Sequence, residues 1–252
     1  MNYPGSLSRN NRSFLMSVSS ASSSSLIAFD EARAEAYDTQ FQMGRPFMDN
    51  LHLVTRIVMA GLPADARILC AGAGTGAEAL YLASVFPGWQ FTLLDPSEAM
   101  LKVARRRTDA AGVTDRCTFH VGYMESLNAP APFDAATSFL VSHFITDTDE
   151  RQRYFNEISA RLKPGAVFVN ADIAADMTAA TFPDLMEAWL GFYALSGMPE
   201  EGRKTFPEMF GRDVAAHPPQ KVEELIKAAR FDQPVPFFQS LMIRGWFTRK
   251  QS

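Results

Sequence analysis

The sequence predicts an α/β fold, a doubly wound, mostly parallel seven-stranded sheet of the Rossmann-like kind with an antiparallel C-terminal hairpin and a small helical cap. Three observations predict it. Strand-like and helix-like segments alternate from Arg45 onward, a glycine-rich turn follows the first strand, and the chain ends on two strand-like runs lying close together. Alternation gives a mostly parallel sheet covered on both faces, and two closely spaced strands can pair only as an antiparallel hairpin.

Hydrophobic periodicity predicts each element in order along the chain. Helices are predicted at 45–61, 76–86, 97–112, 147–162 and 220–230, with a helical stretch at 180–215 that becomes looser after Tyr193. Strands are predicted at 66–72, 89–95, 117–122, 133–140, 166–174, 235–240 and 241–249. The stretch 180–215 is rich in Phe, Met, Pro and Gly and interrupts the alternation after the fifth strand. We predict that an insertion at about 176–216 forms a cap over the carboxyl edge of the sheet, where ligands of open α/β sheets bind.

The domain organisation follows from length and composition. With 252 residues, of which 47% are hydrophobic, the chain is most simply one domain with an insertion. The first 25 residues contain ten serines, and this composition is typical of disorder. We therefore predict a disordered tail at 1–27, a helical lid at 28–60 and the main domain at 61–252.

The overall charge and the cysteines exclude several classes of function. A net charge of -4 and a pI near 5.6 provide no basic field for a phosphate backbone, so no nucleic-acid partner is expected. Cys70 and Cys117 lack metal-ligand spacing, which predicts reduced thiols in a cytoplasmic protein without a metal. No run reaches the roughly 18 apolar residues of a membrane span, so no membrane partner is expected.

A glycine-rich loop, "ILCAGAGTG" at 68–76, suggests a ligand-binding turn. A strand, a glycine turn and a helix N-terminus can hold a pyrophosphate, a phosphate or a carboxylate. The loop also satisfies the loose dinucleotide pattern, so an NAD-linked enzyme stays open here. Asp95 ends the second strand, where its carboxylate can accept hydrogen bonds from both hydroxyls of an adenosine ribose; alternatively, Asp95 caps the next helix.

Five segments in register, "ILCAGAGTG", "LLDPSEAML", "GYMESL", "FDAATSFLVSHFI" and "RLKPGAVFV", resemble class I S-adenosylmethionine-dependent methyltransferases. The resemblance extends over about 28–249. It implies that the glycine loop holds the methionine end of S-adenosylmethionine, that Asp95 binds its ribose, that Tyr123 and Met124 flank its adenine, and that the 163–165 turn introduces the fifth strand. The cofactor-binding residues that it implies are Tyr37, Arg45, Ala71, Gly72, Ala73, Gly74, Gly76, Asp95, Pro96, Met100, Tyr123, Met124 and Phe139.

The sequence departs from this family at two positions. Many relatives carry an acidic residue where Cys70 stands and an Asp where Tyr123 stands, so two carboxylates toward the cofactor are missing. Tyr123 either stacks on the ligand or packs in the core. Tyr37 and Arg45 lie in a segment that resembles a flexible lid; Arg45 either pairs with the methionine carboxylate or is a solvated surface residue.

Methyl transfer asks little covalent chemistry of the protein. In-line alignment of the nucleophile with the methyl group supplies an effective molarity on the order of 10⁵ M or more, and a general base is needed only when the nucleophile arrives protonated. His143, after the fourth strand, is the best-placed candidate base. His52, His120 and His217 are interpreted as structural. No nucleophile-elbow sequence is present.

The cap carries the prediction about the substrate. An apolar stripe at helical spacing includes Trp189 and Tyr193, which either pack in the core or a dimer contact, or line a pocket. Arg203 and Lys204 follow and would suit an acidic substrate, or form a solvated face. The predicted substrate-binding residues, for a small-molecule substrate, are Trp189, Tyr193, Arg203 and Lys204. If the chain forms a homodimer, the cap is the expected contact surface.

Two alternatives stay open. The cap and the C-terminal segment partly resemble carboxy-S-adenosylmethionine synthase, although that family has Asn where Phe139 stands and Arg where Lys204 stands. A non-catalytic relative that uses the fold for binding is the second alternative. The sequence therefore favours an S-adenosylmethionine-dependent methyltransferase that acts on a small molecule over either alternative.

Overall fold

The computed structural model describes residues 44–129 and 131–252. Its strands are β1 (Arg67–Ala71), β2 (Gln90–Asp95), β3 (Cys117–Val121), β4 (Phe133–Phe139), β5 (Leu162–Ile173), β6 (Val235–Ser240) and β7 (Ile243–Arg249). Its helices are α1 (Arg45–Met59), α2 (Ala77–Val85), α3 (Glu98–Ala110), α4 (Thr148–Ala160), α5 (Phe182–Leu195), α6 (Glu200–Thr205) and α7 (Pro219–Ala228). The predicted tail, the first part of the predicted lid and Tyr37 lie outside the described residues.

The seven strands form one sheet in the order β3-β2-β1-β4-β5-β7-β6. The first five strands pair in parallel, and β7 pairs antiparallel with both β5 and β6. The strand order reverses between β1 and β4, and such a switch point opens a crevice at the carboxyl edge of an α/β sheet. The predicted fold class is confirmed, including the terminal hairpin.

Two predicted segments differ in detail. β5 begins at Leu162 and so includes residues 163–165, predicted as a turn; the Gly165 N–H donates to the carbonyl of Lys250 at 2.9 Å, which extends the strand. The stretch 180–215 is not one helix. It breaks after α5 at Gly197, whose φ is +85°, and Pro199 then precedes α6, because a left-handed glycine and a proline both end a helix.

Apolar side chains pack on both faces of the sheet. One face buries Leu51 of α1, Phe91 of β2 and Trp189 of α5 in a single core. The other face buries Phe155 of α4, Phe168 of β5 and other aromatic residues. Both faces of β1 are therefore covered, and four of its five residues are buried, as expected for a central parallel strand.

Within residues 44–129 and 131–252, no helix is both long and apolar enough to span a membrane. The same ranges contain no group of three or more His, Cys, Asp or Glu side chains arranged to hold a metal ion.

Candidate functional site

The glycine loop turns tightly between β1 and α2. Gly72, Gly74 and Gly76 have φ values of +74°, +53° and +77°, a left-handed region that side chains with a Cβ disfavour. A Cβ at Gly72 would lie 2.4 Å from Cγ2 of Val141, after β4. At Gly74, by contrast, no heavy atom of the described residues lies within 4 Å of that point. The loop is packed at its start and open in its middle, where a ligand can approach the backbone.

Hydrogen bonds within the protein already use four N–H groups of this loop. They join Gly72 N to Leu94 O at 2.8 Å, Ala73 N to Leu94 O at 2.9 Å, Gly74 N to Asp95 Oδ2 at 2.9 Å and Gly76 N to Ala73 O at 2.8 Å. A phosphate-binding loop needs free N–H groups directed at the anion. These four N–H groups do not form such a cradle.

Asp95 connects the end of β2 to the loop. Its Oδ2 accepts from Gly74, and its Oδ1 accepts from the N–H of Ser97 at 2.8 Å. Burial raises the pKa of the Asp95 carboxyl, and these two backbone bonds oppose that effect. The N-cap of α3 is Ser97, whose Oγ accepts from Met100 N, so Asp95 is not the capping residue. The predicted ribose contact of Asp95 stays a prediction.

Glu78, in the first turn of α2, places a second carboxyl beside the loop. Its Oε1 accepts a 2.9 Å hydrogen bond from Thr137 of β4, and the same carboxyl contacts the thiol of Cys70 on β1. Burial raises the pKa of Glu78 to about 7, although the bonds from Thr137 and Cys70 oppose the increase. Burial, followed by the Glu78 charge, raises the pKa of the Cys70 thiol well above its usual range, so this cysteine is unreactive.

A third carboxyl, Asp172 of β5, belongs to a buried network at the carboxyl ends of β4 and β5. Its Oδ1 accepts from the backbone N of His143 at 2.9 Å and faces His143 Nδ1 at 2.7 Å. Its Oδ2 accepts from Ser142 Oγ, from Arg151 Nη2 at 3.1 Å and from Asn170 Nδ2 at 3.2 Å. The carboxylate therefore has five hydrogen-bonding contacts.

Arg151 of α4 balances the charge of this network. Its side chain is fully buried, and it also donates from Nε to Ser142 Oγ and from Nη1 to the Ala215 carbonyl, both at 2.9 Å. Burial alone would raise the pKa of the Asp172 carboxyl, but the Arg151 guanidinium and the bonds of His143 hold it well below its usual range. The network joins β4, α4, β5 and the segment after the cap.

Several predicted cofactor residues lie together. The loop residues from Ala71 to Gly76 adjoin Asp95, and Gly122 N donates to Asp95 O at 3.0 Å, which brings Tyr123 to the same edge. Tyr123 is 52% exposed, so its alternative role in the core is wrong. Phe139 ends β4 and is buried against the ring of His52, with centroids 6.0 Å apart. Pro96 is exposed, whereas Ala71, Ala73, Met100 and Met124 are buried.

The remaining predicted residues have local partners. Arg45 is exposed and lies 3.5 Å from Asp49, one turn along α1. Trp189 is buried in the core, and Tyr193 packs on Phe206 with centroids 4.5 Å apart. Two cationic side chains of the cap also have partners within the cap. Arg203 Nη1 donates to Met198 O at 2.6 Å, and Lys204 pairs with Glu200 at 3.0 Å. Their roles toward a substrate stay predictions.

The sequence interpretation missed Glu78, Arg151 and Asp172. One signal was present in the sequence: Asn170 and Asp172 are polar residues within the apolar run "AVFVNADIA", and a buried polar residue needs partners. Arg151 shares a helical face with Phe155 and Ile158, which is the buried face of α4. Glu78 gave no such signal, because a Glu in the first turn of a helix is common.

The sheet order and the terminal hairpin are those of the Rossmann-like methyltransferase fold. Residues 68–165 match the family model described as a methyltransferase domain, which confirms the predicted resemblance to S-adenosylmethionine-dependent methyltransferases. The match includes the glycine loop, Glu78, Asp95, His143 and Arg151.

Three known proteins illustrate the similarity. An uncharacterized protein of Synechococcus sp., syc1184_c, is 35% identical over 111 residues, which are 42% of this chain and 26% of that protein. The carboxy-S-adenosyl-L-methionine synthase of Campylobacter lari is 28% identical over 147 residues, 57% of this chain and 60% of the enzyme. Human N-acetylserotonin methyltransferase in complex with S-adenosylmethionine superposes with a TM-score of 0.61 at 15% identity, over 88% of this chain and 57% of that chain.

The chain thus spans about a quarter of the first relative and less than two thirds of the other two. At 15% identity the structural likeness shows the fold alone. The match of residues 68–165 to a methyltransferase-domain model agrees with S-adenosylmethionine as the expected cofactor.

Proposed function

We propose that the protein transfers a methyl group from S-adenosylmethionine to a small-molecule acceptor by in-line displacement. The hydrogen-bonding state of the glycine loop carries this proposal. Since the N–H groups of Gly72, Ala73, Gly74 and Gly76 are bonded internally, the loop is poorly suited to the pyrophosphate of a dinucleotide. An NAD-linked enzyme is therefore a weaker interpretation than a methyltransferase.

The residues present suit the proposed cofactor. The backbone at Gly74 is open to a ligand, and the nearby carboxyls of Asp95 and Glu78 suit a cation better than an anion. S-adenosylmethionine, when bound, supplies an electrophilic methyl group on a positively charged sulfur. Gly74 would present backbone to the methionine part of the cofactor, Asp95 would accept from its ribose hydroxyls, and Tyr123 would cover its adenine.

The acceptor would reach the carboxyl ends of β4 and β5 beneath the cap. Asp172 holds Nδ1 of His143 at 2.7 Å, and a carboxylate at Nδ1 fixes the ring so that Nε2 is the nitrogen left for proton transfer. His143 therefore stays our predicted base for an acceptor that arrives protonated. Apolar side chains such as Trp189, Tyr193 and Phe139 would exclude water.

The similarity to the Campylobacter lari synthase favours one second candidate, an enzyme that carboxylates the methyl carbon of the cofactor. Phe139 and Lys204 differ from that family at positions implied by the resemblance. Mass spectrometry of the nucleoside retained by the purified protein distinguishes the two candidates, because a carboxylated nucleoside would favour the synthase. A cytoplasmic location, the absence of nucleic-acid binding and a homodimer through the cap remain further parts of this proposal.

Isothermal titration calorimetry with S-adenosylmethionine, S-adenosylhomocysteine and NAD, in parallel, tests the proposal. We expect both sulfur nucleosides to bind and NAD to give no heat above dilution. Binding of NAD without either nucleoside would overturn the proposal. A folded protein that binds none of the three would instead favour the non-catalytic alternative.

A further inference from the structure

Glu78 has an unusual position for a buried acid. It lies in the first turn of α2, with only 6% of its surface exposed, and its described hydrogen-bond partners are the neutral groups of Thr137 and Cys70. No Lys, Arg or His among the described residues forms an ion pair with it. A buried carboxyl is usually paired with a cation, so the absence of one here needs an explanation.

The charged and titratable groups around Glu78 belong to four elements. Asp95 on β2 repels its charge, Cys70 on β1 is held neutral by burial, and Tyr154 on α4 has a pKa raised mainly by burial. Arg107 on α3 reaches the glycine loop, where it donates to the carbonyl oxygen and the hydroxyl of Thr75. Among the described residues, the charge that acts on Glu78 is thus that of another acid, Asp95.

The carboxyl lies where it can act on a ligand of the loop. Cys70, which it contacts, comes two residues before Gly72, and Thr137, to which it bonds, is paired with Cys70 across β1 and β4. Position 70 on β1 carries a cysteine and no acid, but the Glu78 carboxyl from α2, the next helix, lies beside it. A charge in this low-dielectric region is screened much less than one in water.

We propose that Glu78 is an electrostatic positioning residue whose ionised carboxylate strengthens the binding of a cationic ligand at the glycine loop, so that cofactor binding expels a proton from the protein. The inference rests on the proposed function, because S-adenosylmethionine is the cation. Glu78 supplies the negative charge without touching the reacting atoms.

Burial raises the pKa of Glu78 to about 7, and this value sets the pH range of the effect. Below that pH the acid is mostly neutral and resembles glutamine, so it gives no charge to the ligand. Above it the carboxylate is ionised and attracts the cation. A bound cation lowers the pKa of a nearby acid, and binding near neutral pH is therefore coupled to proton release.

Calorimetric titration of the full chain with S-adenosylmethionine from pH 5 to pH 9, in buffers of different ionisation enthalpy, tests this inference. We expect the wild type to bind about tenfold more tightly than Glu78→Gln at pH 8, an order of magnitude that corresponds to one pKa unit, and equally at pH 5. Near pH 7 the wild type should release a fraction of a proton that the variant does not release. Every other titrating group, including the α-amino group of the ligand, is the same in the wild-type and variant experiments, so the difference between them is due to Glu78.

Two controls sharpen the experiment. Glu150→Gln removes a first-turn glutamate on α4 that is exposed and pairs with Arg153, and it should leave the pH dependence of binding unchanged. S-adenosylhomocysteine lacks the sulfonium charge, so Glu78→Gln should weaken its binding less than that of S-adenosylmethionine.

The outcomes separate the two proposals. A wild type that binds no S-adenosylmethionine at any pH would overturn the proposed function. Binding with the same pH dependence and proton release in wild type and Glu78→Gln would overturn the role of Glu78 alone. If Glu78→Gln does not fold, Thr137→Val provides the test. The loss of its hydrogen bond to Glu78 should move the pH midpoint of tight binding upward. An unmoved midpoint would contradict the inference.

Discussion

Asp172 and Glu78 are both buried acids near the carboxyl edge of one sheet, yet their surroundings are opposite. Asp172 accepts from Arg151, His143, Ser142 and Asn170. Glu78 accepts from the Thr137 hydroxyl and contacts a thiol. The pKa of Asp172 lies well below the usual range of a carboxyl, whereas that of Glu78 is raised to about 7.

The difference shows what a buried charge needs. Moving a carboxylate out of water is unfavourable unless a cation and hydrogen bonds replace the lost solvation. Arg151 provides that replacement, so Asp172 is ionised in the folded chain and joins β4, α4 and β5. Glu78 lacks a cation among the described residues, and a cationic ligand would complete its surroundings. One acid therefore serves the structure, and the other is suited to binding.

The largest expected effect is the loss of the cation beside Asp172. Arg151→Met keeps much of the side-chain volume but leaves Asp172 as an uncompensated buried charge. We expect the free energy of unfolding to fall by about 3–5 kcal/mol, measured by urea denaturation at neutral pH.

Arg153, two residues along the same helix, provides the matched control. Its guanidinium is 66% exposed and lies 3.5 Å from Glu150. Arg153→Met should change the free energy of unfolding by less than about 1 kcal/mol. Equal effects of the two variants would show that the Asp172 network does not depend on Arg151 for its charge balance.

Glu78→Gln should raise the free energy of unfolding, whereas Arg151→Met lowers it, and the size of this increase should depend on pH. The folded pKa of Glu78, about 7, lies above the unfolded value of 4.5. A raised acid pKa means that the folded state loses stability as pH rises from about 4.5 to about 7, with the loss complete above that range. The span of roughly 2.5 pKa units corresponds to about 3 kcal/mol.

Without ligand, Glu78→Gln should therefore be more stable than the wild type by up to about 3 kcal/mol at pH 8 and nearly equal to it at pH 4.5. Urea denaturation across this range checks the prediction. A variant that is less stable than the wild type at pH 8 would show that the ionised carboxylate is already compensated in the free protein.

His143→Leu changes the same network as Arg151→Met, and it should lower the free energy of unfolding by less. It removes the 2.7 Å contact between Nδ1 and Asp172 but keeps the 2.9 Å bond from the backbone N–H. A hydrogen bond to a charged group contributes about 1.5–3 kcal/mol, so we expect a loss of about 2 kcal/mol in the free energy of unfolding.

The half-buried His120, which bonds to Ser126 Oγ at 2.7 Å, gives the control His120→Leu with a smaller loss. Affinity for S-adenosylmethionine should be unchanged in His143→Leu if the residue acts on the acceptor. A large drop in that affinity would contradict the predicted role of His143 as a base.

Hydrophobic periodicity was sufficient to predict the sheet. Each of the seven strands was expected within a few residues of its observed bounds, because buried parallel strands are short apolar runs with glycine or polar residues at their ends. The breaks in the cap were harder to predict. Gly197 and Pro199 were visible in the sequence, and a looser segment was expected after Tyr193, but the bounds of the two cap helices were not predicted.

The glycine loop and Asp95 were predictable because they are consecutive along short stretches of chain. The carboxyl networks were not, because Arg151, Asp172 and Ser142 meet only through the pairing of β4 with β5 and the packing of α4. Glu78 and Thr137 are likewise 59 positions apart. Sequence spacing carries no signal for such contacts, which depend on side-chain positions in three dimensions.

The smallest expected effect tests the hydrogen bond between Thr137 and Glu78. Thr137→Val keeps the shape of a fully buried side chain but removes the hydroxyl that donates to Oε1 at 2.9 Å. That bond stabilises the ionised carboxylate, so its loss should raise the pKa of Glu78 further. We expect a loss of about 1 kcal/mol in the free energy of unfolding at pH 9, where Glu78 is ionised, and a smaller loss at pH 5. Thr137→Ser retains the hydroxyl and should show little pH dependence in its effect. An equal loss at both pH values in Thr137→Val would mean that the hydroxyl stabilises the fold without regard to the charge of Glu78, and the contrast with Asp172 would then rest on burial alone.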